Sequence, residues 1–140
     1  MASLCLITVP VLLDTDSDGP HLVSQWARMY HYGHLVMPSI SVATCVLYGF
    51  ITASRRSARK SWRVPALAGA ITVVMVPFTW VVMAPTNDRL FNLQSLSQVD
   101  PVTVDIAEVR DLVTSWWWLH GARCIFPLVG AVVGAVGLFW

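Results

Sequence analysis

Three apolar runs, 34–53, 64–84 and 124–140, dominate the chain and are divided by polar stretches. Each has, or nearly has, the ~20 residues that a helix needs to cross a hydrocarbon core. The third reads as the inner part of one helical span, 116–140. A fourth apolar run, 2–13, is too short, because twelve helical residues at ~1.5 Å each reach only ~18 Å into a ~30 Å core. It is expected to be a truncated start or a half-helix that completes a bundle, and no basic leader or small-residue cleavage site marks it as a signal peptide. The expectation is all-α: a single membrane domain over 1–140, an integral membrane four-helix bundle whose first helix is abbreviated and whose backbone is satisfied internally.

The polar stretches carry helical periodicity of their own. Val102, Ile106, Val109, Val113 and Trp116 recur at i, i+4, i+7, i+11 and i+14, with Asp100 as the expected N-cap and Pro101 at N1. The same stripe continues to His120 and Arg123. Pro20 is expected at N1 of the preceding long helix, which places Trp26, Tyr30 and His34 on one face. Pro85 is expected to kink or stop the 64–84 span and expose Asn87.

Charge then orients these elements. Five basic residues crowd into 55–63, whereas all eight acidic residues lie in 14–18 and 88–111. Basic loops stay cytoplasmic and translocated loops are free to be acidic, so both acidic stretches are expected as luminal or exterior helical extensions. Composition agrees with a lipid bilayer as partner: 56% of residues are hydrophobic, 12% are charged and the mean hydropathy is +0.62. A net charge of +1 offers no field for nucleic acid, which is excluded as a partner. Gly130, Gly134 and Gly137 form a small-residue spacing that admits a neighbouring helix and leaves a homo-oligomer open.

Counting ~1.5 Å per residue from the cytoplasmic ends puts His34 at ~29 Å, Asn87 at ~34 Å and His120 at ~30 Å. Polar residues of three helices therefore meet at one level, the luminal edge of the bilayer. Ionisable residues on membrane helices are costly and are functional candidates, although Arg123 at such an edge also serves as an interfacial anchor. Trp117 and Trp118 are assigned to the interfacial aromatic belt, and Trp116 to the face of His120. His31 and His34 have chelating spacing, but no acidic residue lies on a span, so no metal is expected. The stretch Asp14-Thr15-Asp16-Ser17-Asp18-Gly19 opens like a calcium loop, yet Gln25 stands where the bidentate Glu belongs. Cys5, Cys45 and Cys124 form no C-x-x-C, and no phosphate or dinucleotide loop is present.

Taken together, Trp26-x-x-x-Tyr30-x-x-Gly33, Pro77-x-Thr79, Pro85-Thr86-Asn87-x-x-Leu90 and Trp116-x-x-x-His120-x-x-Arg123-x-x-x-Pro127 resemble the anthrone oxygenases of fungal polyketide pathways. The resemblance runs from about Leu4 to Gly134, and departs at the first helix, which is fuller in members of that family. It implies oxidation of a polyketide anthrone to an anthraquinone in secondary-metabolite biosynthesis, with molecular oxygen as co-substrate and no flavin, haem or metal cofactor. It also implies the endoplasmic reticulum or another intracellular membrane. On this view His120 is the general base, Asn87 and Arg123 stabilise the enolate or peroxide oxygen, and Tyr30 relays a proton. Trp26 and Trp116 stack on an apolar aromatic substrate, with His34 and Thr79 completing its binding site. The alternative is a noncatalytic membrane subunit or scaffold of a biosynthetic pathway. A transporter is disfavoured, since the lower halves of the spans offer only Ser41, Thr44, Tyr48 and Thr72 as a polar route.

Overall fold

The structure is a computed structural model that describes residues 3–137. Ala2 of the first apolar run and 138–140 of the last lie outside the described residues. Four helices and no strand occur among the described residues. They are α1 (Leu4–Thr15), α2 (Gly19–Ser57), α3 (Arg63–Val99) and α4 (Ile106–Val136). The last three are each long and apolar enough to cross a membrane. At 39, 37 and 31 residues they also exceed the span of a hydrocarbon core. α1 opens with a π turn over Leu4–Thr8 and is short, as its sequence requires.

Helix ends follow local chemistry. The Asp18 carboxylate accepts from the His21 N–H at 3.1 Å and so caps α2, with Pro20 in the first turn, where a missing N–H costs nothing. The α2–α3 connection turns on Arg59, whose φ of 56° is left-handed. The start of α4 differs from expectation. Pro101–Thr103 form a separate 3-10 turn, and Asp105 is the N-cap, accepting from the Ala107 N–H at 3.1 Å. Val102 is consequently 94% exposed, and the buried stripe begins only at Val109.

Of the two outcomes expected at Pro85 the stop does not occur, and Asn87 beyond it is buried, not exposed. A π segment, Thr79–Met83, precedes it and the helix continues through Ala84–Val99. Proline has no N–H and crowds the carbonyl four residues back, and a widened turn relieves both problems without breaking the rod.

Packing divides the bundle into two levels. Below, α4 lies against α3 and α2 through its glycines. A Cβ on Gly130 would meet Thr72 Oγ1 and, at 2.9 Å, the Ala68 carbonyl, while one on Gly134 would strike Tyr48 and one on Gly137 would strike Val64. Tyr48 donates its hydroxyl to the Gly130 carbonyl at 3.1 Å. The glycine stripe therefore faces helices of its own chain, not a second copy. Above, Leu22, Val23, Trp26, Met83, Leu90, Val109, Val113 and Trp116 form the buried core, closed on one side by Val9 of α1. Arg110 donates to the Asp16 carbonyl at 2.6 Å, and Arg89 grips Glu108 at 2.6 and 3.0 Å, so charged contacts lash α1 and α3 to α4 at this end. Leu35, Ile40, Val46, Phe50, Val81 and Leu128 stand exposed around the middle, as a lipid-facing surface does.

Candidate active site

At the upper level, three helices each contribute a row of side chains to one cluster. From α2, Trp26 is fully buried and Tyr30 follows one turn on, their rings 5.3 Å apart. From α3, Phe91 meets Trp26 and Tyr30 edge-on, both at 5.1 Å. From α4, Trp116 stands edge-on to Trp26 at 6.1 Å, and His120 stacks on Trp116 at 4.7 Å and 21°. The result is a closely packed group of rings, the aromatic box, with a floor of polar side chains beneath it.

That floor is ordered by Arg123. Its Nη2 lies 2.8 Å from His120 Nδ1, and its Nη1 donates to Thr79 Oγ1 at 3.3 Å. Asn87 is buried on α3, four residues before Phe91 and eight after Thr79. Since Phe91 touches the Trp26 level and Thr79 touches Arg123, Asn87 occupies the height between them, the height that His120 occupies on α4.

The Arg123–His120 contact decides a tautomer. A guanidinium has donors and no acceptor, so Nδ1 presents its lone pair and the neutral imidazole carries its proton on Nε2. The ring is thereby made a hydrogen-bond donor at Nε2. Among the described residues, Asn87 Oδ1, Trp26 Nε1, Trp116 Nε1 and Arg123 Nε are buried without a hydrogen-bond partner. Four such atoms on one cluster call for partners that the surrounding side chains do not supply.

Most of the site residues anticipated from the sequence thus come together: Trp26, Tyr30, Thr79, Trp116, His120 and Arg123 are linked by direct contacts, and Asn87 shares their level. His34 is set apart, stacked on Tyr30 at 5.9 Å and exposed to the surroundings at the rim.

A family model described as anthrone oxygenase matches residues 26–133. The chain is 50% identical to anthrone oxygenase AgnL2 of Paecilomyces divaricatus over 98% of its own length and 85% of the relative. It is 46% identical to anthrone oxygenase dmxR16 of a Cryptosporiopsis species, over 99% of its own length and 77% of the relative. With anthrone oxygenase gedH of Aspergillus terreus it shares 46% identity over 95% and 85%. The chain belongs to the anthrone oxygenase family. No solved structure matches it. The family interval opens at Trp26 and takes in every residue of the aromatic box and its floor, while α1 lies before it.

Two arrangements escape the sequence reading of this anthrone oxygenase family member. Trp117, assigned to the interfacial belt, instead donates its indole N–H to the Cys5 carbonyl at 2.7 Å and pins α1 to α4, leaving Trp118, 68% exposed, to the surroundings. Cys5 is thereby brought to His120 and Cys124. One donor atom from each lies within 4.8 Å of the other two, a set able to hold a metal ion. Separation by more than a hundred residues hides such a pairing, and the Cys124–His120 spacing of four was its only local sign.

Proposed function

We propose that this chain oxidises a polyketide anthrone to the anthraquinone with molecular oxygen inside the aromatic box, at the luminal edge of an intracellular membrane such as the endoplasmic reticulum. Membership of the anthrone oxygenase family supports the reaction. The observation that carries the site is the group of buried, unsatisfied polar atoms of Trp26, Asn87, Trp116 and Arg123 around His120, in walls otherwise made of aromatic rings. An anthrone offers the complement, a flat tricycle edged with oxygens.

The reaction needs little beyond an environment. A methylene flanked by two aryl rings and conjugated with a carbonyl is acidified, and its conjugate base is electron-rich enough to react with oxygen directly, so no cofactor is required. His120 Nε2–H, the Asn87 amide and the Arg123 guanidinium surround the developing oxyanion and lower the cost of its formation. The methylene proton departs toward the rim, where Tyr30 and the exposed His34 stand ready to accept it. Addition of oxygen to the carbanion gives a peroxide anion, and reprotonation gives a hydroperoxide. Loss of water then leaves the quinone carbonyl, so that one anthrone and one O2 yield one quinone and one H2O. Trp26 and Trp116 touch, so the guest enters by parting them. Every group invoked lies on one chain, and the five basic residues of 55–63 hold the opposite end in the cytoplasm.

Membranes containing the chain, compared with empty membranes to subtract air oxidation, test this reading. Oxygen uptake matched by quinone formation, undiminished by a chelator, is expected. Background turnover by well-inserted protein would overturn it in favour of a noncatalytic role.

A further inference from the structure

We infer that Cys5, His120 and Cys124 form an inhibitory site for a thiophilic metal ion, Zn2+ and its soft relatives Cd2+ and Cu+, whose occupation withdraws His120 from the reaction proposed above. The inhibitory half of the inference rests on that reaction using His120, whereas the binding half rests on geometry alone. His120 and Cys124 are spaced i, i+4 on α4 and so project from one face, and Cys5 is delivered from α1. Their donor atoms lie within 4.8 Å of one another.

A hydrogen bond to α4 holds that placement. The Trp117 indole donates to the Cys5 carbonyl at 2.7 Å, and Cys5 Sγ lies within van der Waals reach of the Gly121 position on α4, at 4.0 Å from where a Cβ would stand. Ligand bonds of ~2.3 Å to sulfur and ~2.0 Å to nitrogen ask for donor separations of about 3.4 to 3.8 Å, so the triangle closes with a contraction of about 1.4 Å at most. Side-chain rotation on two cysteines supplies that.

The donor set selects the ion. Two sulfurs, one imidazole and no carboxylate match soft or borderline cations and not Mg2+, Ca2+ or Mn2+. Binding of Zn2+ releases both thiol protons, and the imidazole coordinates through Nε2 once its proton has moved to Nδ1, which ends the hydrogen bond from Arg123; the pair of thiolates neutralises the ion, which suits a weakly hydrated position beside a fully buried histidine. The imidazole cannot serve the metal and the oxyanion together. Occupation therefore redirects the one side chain on which the Arg123 contact and the reaction both converge.

The test uses the full chain in detergent, reduced with a phosphine and stripped of metal, titrated with Cd2+. A thiolate-to-cadmium ultraviolet band saturating at one ion per chain is expected. Cys5→Ser and Cys124→Ser should each weaken binding at least tenfold, and Cys45→Ser should leave it intact. In turnover assays, Zn2+ should suppress quinone formation and a chelator should restore it. Cys5→Ser should keep its basal rate and resist the metal. Absence of the band, or equal inhibition of Cys5→Ser, overturns the site while leaving the proposed oxidation standing. A stripped protein that is inactive until metal is added overturns both the inhibitory role and the cofactor-free reaction.

Discussion

Replacing His120 by Gln and by Ala separates a hydrogen-bond donor from a general base. His120 is 1% exposed, and its Nδ1 accepts from Arg123 at 2.8 Å, which makes Nε2–H the donor that the proposed oxyanion would meet. Glutamine has an amide nitrogen near the position of Nε2 and an oxygen that can accept from Arg123, yet it cannot act as a base near neutral pH. If the ring donates, His120→Gln keeps kcat within about tenfold, while His120→Ala loses about 10²- to 10³-fold, the ~3 to 4 kcal/mol that an oxyanion donor supplies in a dry site. Alanine additionally strands the Arg123 guanidinium, which costs about 1 to 3 kcal/mol of stability, so thermal unfolding is followed beside turnover. Initial rates of oxygen uptake and quinone absorbance, corrected for empty membranes, give kcat and KM separately. Equal collapse of the Gln and Ala variants, with both correctly folded, would refute the donor assignment and return His120 to the role of base.

Trp116→Leu should raise KM for the anthrone more than it lowers kcat, because it removes a stacking wall worth about 0.5 to 1.5 kcal/mol beyond its area; an unchanged KM in steady-state kinetics would remove Trp116 from the box. Gly130→Val should lower stability by roughly 1 to 3 kcal/mol, since its Cβ would press on Thr72 and the Ala68 carbonyl, and a thermal-shift assay of the detergent-solubilised protein reads this directly. Glu108→Gln breaks a partly exposed ion pair with Arg89 and should cost at most about 1 kcal/mol with turnover retained, as measured by the same two assays.

How far the sequence could speak depended on the range of the interaction. Trp26 and Tyr30, or Trp116, His120 and Arg123, sit on their faces through helical spacing alone, and apolar length plus loop charge set the helices side by side at one level. What no spacing could reveal was partner choice across the bundle. The glycines of α4 announce a close helix neighbour without naming it, and Tyr48, Thr72 and Val64 of the same chain are what fill them. The N-cap of α4 moved from Asp100 to Asp105 because both aspartates precede an apolar residue, and only the buried stripe, which leaves Val102 outside, chooses between them. Likewise, the proton on Nε2 of His120 is set by a guanidinium from the next turn, a matter of rotamer and not of sequence.

The π segment of α3 shows how an apparent defect builds the site. Eight residues of regular helix at ~100° each would leave Asn87 about 80° out of line with Thr79, facing lipid when Thr79 faces Arg123. The wider turn across Thr79–Met83, with fewer degrees per residue, offsets much of that over-rotation and accords with a buried Asn87 and a Thr79 in contact with Arg123, while its looser bonding accommodates the missing N–H of Pro85. Proline, π turn and asparagine therefore act as one device, and Pro85→Ala is the substitution that isolates it. Alanine restores the option of a regular helix, gaining backbone hydrogen bonding but rotating Asn87 away from the floor. The expected result is a protein at least as stable as the original and impaired in kcat, with oxygen uptake falling while the melting temperature holds or rises. A Pro85→Ala variant with full turnover would mean that the position of Asn87 is not what the π segment is for.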